Sequence, residues 1–394
     1  MNSTLTFFII AGESSGDRLG AALMQGLKSE HGGTVNFIGV GGPLMIDQGL
    51  KSIFPMDELS VMGIAEVLPK IRQLLRRIKE TAVAIERANP TALITIDSPD
   101  FCFRVAKRVK IQMPALRVIH YVAPSVWAWR PKRAAKMARF VNHVLALLPF
   151  EPPYMEAEGM TCDFVGHPIT TERQATDAQA ITFRSEIGMA SGAQLLTLLP
   201  GSRTSEVTRL GPVFREVVER LRQDYPNLKI AIPSVGARVE LIKEIFNGLD
   251  VTILDPREMS SKESEDRKRA CYKASDVALA ASGTVSLELA AAETPMVIAY
   301  KMHWLTAFIK RRMVRVSTAT LVNLLTDTNA VPEFLLEECT ADNIYYSVKS
   351  LLDNAEAREA QLAVSLRAMD MLGKGDDASG NRAAKSVLNF IEQS

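Results

Sequence analysis

Short apolar runs alternate with longer amphipathic segments along most of this chain, and no other feature narrows its fold as far. In the first half the runs are LTFFIIAG, NFIGVGG, ALITIDS, RVIHYVA and HVLALLPF. Each is rich in Val, Ile, Leu or Phe, as strands buried on both faces are. Helix-like stretches such as LGAALMQGLKSE separate them, so the pattern predicts a parallel, doubly wound sheet. Around 166–190 the chain turns polar, and a second series follows: LLTLLPGSR, LKIAIPS, VTILD, DVALAAS and PMVIAY. A length of 394 residues is long for one core and comfortable for two. The expectation is an α/β protein of two Rossmann-like, doubly wound domains facing across a cleft. Residues 1–170 form the first domain, 171–345 the second, and 346–394 a C-terminal helical segment. Ligands in such sheets bind beyond the carboxyl ends of the strands, so the loops leaving those ends are the places to search.

The function classes that composition excludes are few but useful. A formal net charge of +1 argues against bulk attraction to nucleic acid. The four cysteines, Cys102, Cys162, Cys271 and Cys339, are scattered without a CxxC pair, which speaks against a disulfide framework or a zinc cage. His120, His143 and His167 lack HExxH or i,i+4 spacing, so no metal site is expected. The N-terminal MNSTLTFFII lacks the form of a secretory leader, and no apolar run reaches spanning length. The expectation is a cytoplasmic protein, free or attached to a membrane surface.

Four strand exits carry chemistry. The first, AGESSGD, is a glycine- and serine-rich strand-to-helix turn that is neither GxGxxG nor a Walker loop. The second is Asp97-Ser98-Pro99-Asp100. A carboxylate at a strand end is placed to act as a base, with helix capping as the alternative for either aspartate. The expected division puts Asp97 at the cleft and Asp100 at the cap. The third, LLPGSR, sets the permanent cation Arg203 at a strand end. The fourth runs through Ser282-Gly283-Thr284 into a helix whose first N–H groups suit a diphosphate, with Glu288 near enough to take ribose hydroxyls. A capped buried helix with Glu288 as a dipole-favoured acid is the plainer reading of that stretch.

Two further segments mix basic and large apolar residues. VMGIAEVLPKIRQLLRRIK contributes Val61, Met62, Ile64, Val67, Leu68, Ile71, Arg72, Leu75 and Arg76 as candidate membrane contacts. Leu68, Ile71, Leu75 and Ile78 fall on one helical face. KMHWLTAFIKRRMVRV adds Trp304 and Phe308. An anionic membrane surface is the partner these suggest, and a core helix with a solvated basic back is the rival reading of the first. Trp127 and Trp129 stand either in the core or as a ligand platform.

In order, AGESSGD, VMGIAEVLP, DSPDF, HYVAPSVWAWR, LPFEPPYM, FVGHP, LLPGSR, ASGTVSLE and LVNLL resemble the lipid-A-disaccharide synthases, bacterial glycosyltransferases of GT-B architecture. The match runs from about residue 10 to about residue 340, and HYVAPSVWAWR is its most specific part. The resemblance implies an inverting transfer from UDP-2,3-diacylglucosamine to 2,3-diacylglucosamine 1-phosphate. The product is the β-1,6-linked lipid A disaccharide 1-phosphate, with UDP released. It further implies no metal or other cofactor and peripheral attachment to the cytoplasmic face of the inner membrane. Carried over by motif, Asp97 is the general base on the acceptor 6-hydroxyl. Ser282, Gly283, Thr284, Glu288 and Asn323 belong to the sugar-donor site, as does Arg203, which contacts the diphosphate or the acceptor phosphate. Gly12, Ser14, Ser15, Gly16 and Asp17 are then left to position the acceptor. A homodimer remains open. The competing expectations are another UDP-sugar enzyme, such as a peptidoglycan-type N-acetylglucosaminyltransferase or an epimerase, and a non-catalytic sugar- or lipid-binding module.

Overall fold

The structure, a computed structural model, describes residues 4–59, 64–129, 132–302 and 318–393, with backbone alone for 64–70. Val61, Met62, Trp304 and Phe308, and the side chains of Ile64, Val67 and Leu68, lie outside the described residues.

Both expected sheets form, and all of their strand pairings are parallel. The first has β1 (Leu5–Ala11), β2 (Val35–Val40), β3 (Lys51–Ser52), β4 (Ala92–Ile96), β5 (Arg117–Tyr121), β6 (His143–Ala146) and β7 (Thr161–Phe164), in the order β3-β2-β1-β4-β5-β6-β7. The second has β8 (Leu195–Leu199), β9 (Lys229–Pro233), β10 (Thr252–Leu254), β11 (Val277–Ala281), β12 (Met296–Tyr300) and β13 (Glu333–Leu335), in the order β10-β9-β8-β11-β12-β13. The central strands β4, β8 and β11 are buried at every residue, because helices cover both faces. Register sets strand ends level: Ala11 lies opposite Ile96, and Ala280 opposite Leu199. Helix starts follow the local signals. Thr176 with Gln179 and Ser260 with Glu263 close capping boxes, and Pro99 opens the helix Pro99–Gln112.

The chain forms two compact units, residues 1–171 with 372–394 and residues 172–371. Residues 346–394 are therefore not a segment apart. The helices Ala341–Asp353 and Ala355–Met371 belong to the second unit, whereas Ser379–Glu392 returns to the first. The reason is packing. Gly26 of the helix Ser14–His31 lies so close to Gly380 that a Cβ would come within 2.6 Å of its carbonyl oxygen. Ser386 also bridges His143 Nε2 at 2.8 Å and Asp163 Oδ2 at 2.6 Å.

The helix Ile64–Ala88 divides the apolar face expected of it. Leu74 and Ile78 pack on the first core, while Ile71 and Leu75 stay about half exposed at 47% and 52%, next to exposed Arg72 and Arg76. Ile78 thus leaves the set that Ile71 and Leu75 share. Among the described residues, no helix is long and apolar enough to cross a membrane.

Candidate functional site

In the first unit, the exits of β1, β4, β5 and β6 are neighbours on one sheet edge, which gathers AGESSGD, DSPDF, the described part of the aromatic loop, HYVAPSVWAW, and LPFEPPYM. Asp97 and Ser98 both take the left-handed conformation, with φ of 47° and 41°. Such backbone costs on the order of 1 kcal/mol or more per residue and persists only where the surroundings impose it. The Asp97 N–H donates to the Tyr121 carbonyl at 3.0 Å. Gly12 crosses so near Ser98 that a Cβ would lie 2.4 Å from its hydroxyl oxygen, so only glycine lets the two turns meet. Burial pushes the Asp97 carboxyl above the ordinary aspartate range, against the Ser98 backbone N–H and Arg133, which pull it down. Ser98 occupies the helix cap without a side-chain bond, and Asp100 sits exposed in the first turn rather than at the cap.

The opening turn separates into two kinds of residue. Ser14 and Ser15 are exposed at the start of their helix. Gly16 and Asp17 are buried and serve the fold. Asp17 Oδ1 accepts from the Gly42 and Met45 N–H groups at 2.9 and 3.0 Å, and Oδ2 from Leu44 at 3.0 Å. Its carboxylate caps the short helix Pro43–Asp47, which leaves it unsuited to hold an acceptor. Gly16 is placed by packing against Ala11, with room for a Cβ only 3.3 Å from that methyl.

The aromatic loop is half-buried at Trp127 and Trp129. Trp127 stacks edge-on against Phe150 at 5.1 Å and donates from Nε1 to Glu151 at 3.2 Å. Glu151 was not singled out by sequence. It is buried, and desolvation carries its carboxyl up to about 7 despite the hydrogen bonds from Trp127 and the Leu148 and Leu147 backbone. His120 is a core residue held to about 3 by burial and by Arg133, with Nδ1 2.8 Å from Thr95 Oγ1. His167, held to about 4 by burial, accepts from the Ile169 N–H at 3.2 Å and caps a turn.

In the second unit the exits of β8, β9 and β11 surround a cavity of about 490 Å³. Arg203, Ser282, Gly283, Thr284 and Glu288 all line it, as do Lys268 and Tyr272 from the helix Ser261–Ala274. Gly201 turns the chain with φ 119°, and a Cβ there would strike Glu206 at 2.5 Å. The Glu206 carboxylate takes the Ser202 and Arg203 N–H groups at 3.1 and 3.2 Å, plus Arg203 Nη1 at 2.8 Å. The main chain of this loop is therefore occupied, and its offer to an anion is the remaining face of the exposed Arg203 guanidinium.

The second loop is the reverse. Ser282 has committed both its hydrogen-bond donors, the N–H to the Ala299 carbonyl at 3.0 Å and the hydroxyl to the Ala319 carbonyl at 3.2 Å. Among the described residues, the Gly283 and Thr284 N–H groups and the Thr284 hydroxyl have no partner. The helix that follows, Val285–Ala291, is only seven residues long, so these local N–H groups rather than a long dipole supply the positive character. Glu288 Oε2 meets Lys268 Nζ at 3.1 Å. Burial works to lower the Lys268 pKa, yet Glu288 and Glu265 prevail and it stands above the ordinary lysine value.

Asn323 does not line the cavity. It is buried, with Nδ2 donating to the Val331 carbonyl at 2.8 Å and Glu333 at 3.0 Å, and Oδ1 accepting from the Val331 N–H at 2.9 Å. Its amide is consumed in holding the chain between two elements. No cluster of metal-ligating side chains occurs among the described residues.

The model of the lipid-A-disaccharide synthetase family matches residues 7–387. A lipid-A-disaccharide synthase of Ruegeria pomeroyi is 51% identical over 387 residues, which cover 98% of this chain and 95% of that one. Among solved structures, a UDP-GlcNAc 2-epimerase from Neisseria meningitidis bound to UDP-GlcNAc superposes with a TM-score of 0.60 at 12% identity, over 99% of this chain and 100% of that one. A glycosyltransferase from Rickettsia africae gives 0.59 at 12% identity, over 100% and 99%. At such identities these structures speak for the GT-B fold alone.

Proposed function

The chain belongs to the lipid-A-disaccharide synthetase family, hexosyltransferases of lipid A biosynthesis, and from that premise we propose how its two units share the transfer. The second unit holds UDP-2,3-diacylglucosamine with the diphosphate against Arg203 and the Gly283 and Thr284 N–H groups, and with Glu288 on the ribose. The observation that carries this is one cavity in which a cation, N–H groups unpartnered among the described residues and a carboxylate converge on adjacent strand ends. Ser282 contributes by fixing that turn.

The first unit supplies the acceptor seat and the base. Asp97 takes the proton of the 6-hydroxyl of 2,3-diacylglucosamine 1-phosphate as its oxygen attacks the anomeric carbon. The bond from that carbon to the diphosphate oxygen breaks, and UDP leaves with its charge met by Arg203 and the main-chain donors. Attack opposite the leaving group inverts the anomeric centre and gives the β-1,6-linked disaccharide 1-phosphate. Partial burial strengthens Asp97 as a base. Ser14 and Ser15, beside the Gly12–Ser98 crossing, are the groups of the opening turn that remain to meet the acceptor.

Exposed Ile71 and Leu75 beside Arg72 and Arg76 support peripheral attachment to an anionic membrane, taken as the cytoplasmic face of the inner membrane, where acylated substrates reside. UDP release by the purified protein, measured with the acylated sugar donor with and without the acylated acceptor, tests the reading. Release requiring both acylated sugars is expected. Release from unacylated UDP-N-acetylglucosamine alone would replace the proposal with an epimerase or soluble-sugar activity.

A further inference from the structure

Glu333, on the edge strand β13, carries a carboxylate whose partners among the described residues are all hydrogen-bond donors. Oε1 accepts from the Thr320 N–H at 3.0 Å, Asn323 Nδ2 at 3.0 Å and the Thr318 hydroxyl, and Oε2 accepts from the Ala319 N–H at 2.9 Å. Three consecutive residues, 318–320, are thus gripped by one side chain. The middle one presents its carbonyl to Ser282 Oγ at 3.2 Å, at the mouth of the cavity. Ser282 immediately precedes the Gly283 and Thr284 N–H groups, which have no partner among the described residues. A continuous chain of charge-assisted and neutral hydrogen bonds therefore runs from Asn323 through Glu333 and Ala319 to the turn that lines the cavity.

We infer that Glu333 is a positioning residue for the sugar-donor site: by clamping 318–320 it sets the Ala319 carbonyl that fixes Ser282 and aims the Gly283 and Thr284 donors at a nucleoside diphosphate. The inference rests on the reading of the second unit's cavity as that site. It also gives the buried Asn323 a role, as the group that holds Glu333 and ties it to Val331.

The chemistry of the clamp makes a sharp test. A glutamine at 333 has the same shape, but its amide NH₂ must face either the three donors at Oε1 or the Ala319 N–H at Oε2. A near-isosteric change therefore opposes donor to donor. UDP affinity and melting temperature would be measured for Ser282→Ala, Glu333→Gln and the double variant. Loss of one neutral hydrogen bond at Ser282 should weaken UDP about threefold, and Glu333→Gln about tenfold. The double variant should bind no more weakly than Glu333→Gln, because both changes cut the same tie. Wild-type affinity in Glu333→Gln, or additive losses in the double variant, would overturn the inference. Should Glu333→Gln fail to fold, Thr318→Val removes one donor at the periphery. It should weaken UDP by a few-fold, an effect that disappears in the Ser282→Ala background, and no effect overturns the inference. Unchanged UDP binding in Ser282→Ala would also overturn it, while Arg203→Ala reports separately on whether the cavity holds UDP at all.

Discussion

In each unit two central strands run out side by side where the strand order reverses: β1 and β4 in the first, β8 and β11 in the second. The plan is shared, but the loops use it differently. At β4 the exit is Asp97-Ser98, a carboxylate and its neighbour held in left-handed backbone that neither residue favours; Val122, leaving β5, has φ 80°. At the matching exits of the second unit the left-handed position falls to Gly201, and the non-glycine turn residues avoid it. Under the roles proposed above, the difference follows from what each loop must present. A base needs one side chain at one angle, and strain is tolerable to obtain it. An anion seat needs a free cation or free main-chain N–H groups: the Gly201 turn gives its N–H groups to Glu206 and offers Arg203, while the turn at Gly283 leaves its own N–H groups open among the described residues.

If the division into a basic-catalyst edge and an anion-binding edge holds, Asp97→Asn should show the largest loss, about 10²–10⁴-fold in turnover, with UDP affinity unchanged. A parallel fall in UDP affinity would erase the distinction between the edges. Arg203→Ala should act oppositely, lowering kcat/KM for the sugar donor about 10- to 100-fold through a charged hydrogen bond. Its melting temperature should hold, because Arg203 is well exposed.

Glu151 sharpens the comparison from the first unit's side. Its carboxyl rises from 4.5 in the unfolded chain to about 7 when folded. The folded state therefore binds the extra proton, and stability falls as pH rises from about 4.5 to about 7, by ~3 kcal/mol if the group acts alone. In Glu151→Gln that slope should vanish from pH-dependent melts of the first unit, while UDP binding stays flat. A retained slope would assign it to another group. The smallest effect is expected at the lipid face: Leu75→Ser should weaken binding to anionic vesicles by a few-fold, consistent with about 1 kcal/mol of lost apolar burial. Undiminished vesicle binding would remove Leu75 from that surface.

Ten strands were legible as apolar runs, and the three that were not, β3, β7 and β13, all lie at sheet edges. An edge strand needs no continuous buried run, so Lys51–Ser52 or Glu333–Leu335 leaves no pattern to find. Lys268 and Tyr272 were illegible for another reason. They reach the cavity from a helix whose sequence, SKESEDRKRACYKA, reads as an ordinary charged surface.

By itself the sequence determined two parallel α/β sheets, the loops that leave them, and the family, because periodicity and turn motifs are local properties of neighbouring residues. Tertiary structure alone decided which residues of those motifs remain available. Asp17, Ser282 and Asn323 each sit in a recognisable motif, and each gives its hydrogen-bonding groups to the fold. A polar side chain's role depends on which partners are within about 3 Å of it, and those partners come from segments that only folding brings together.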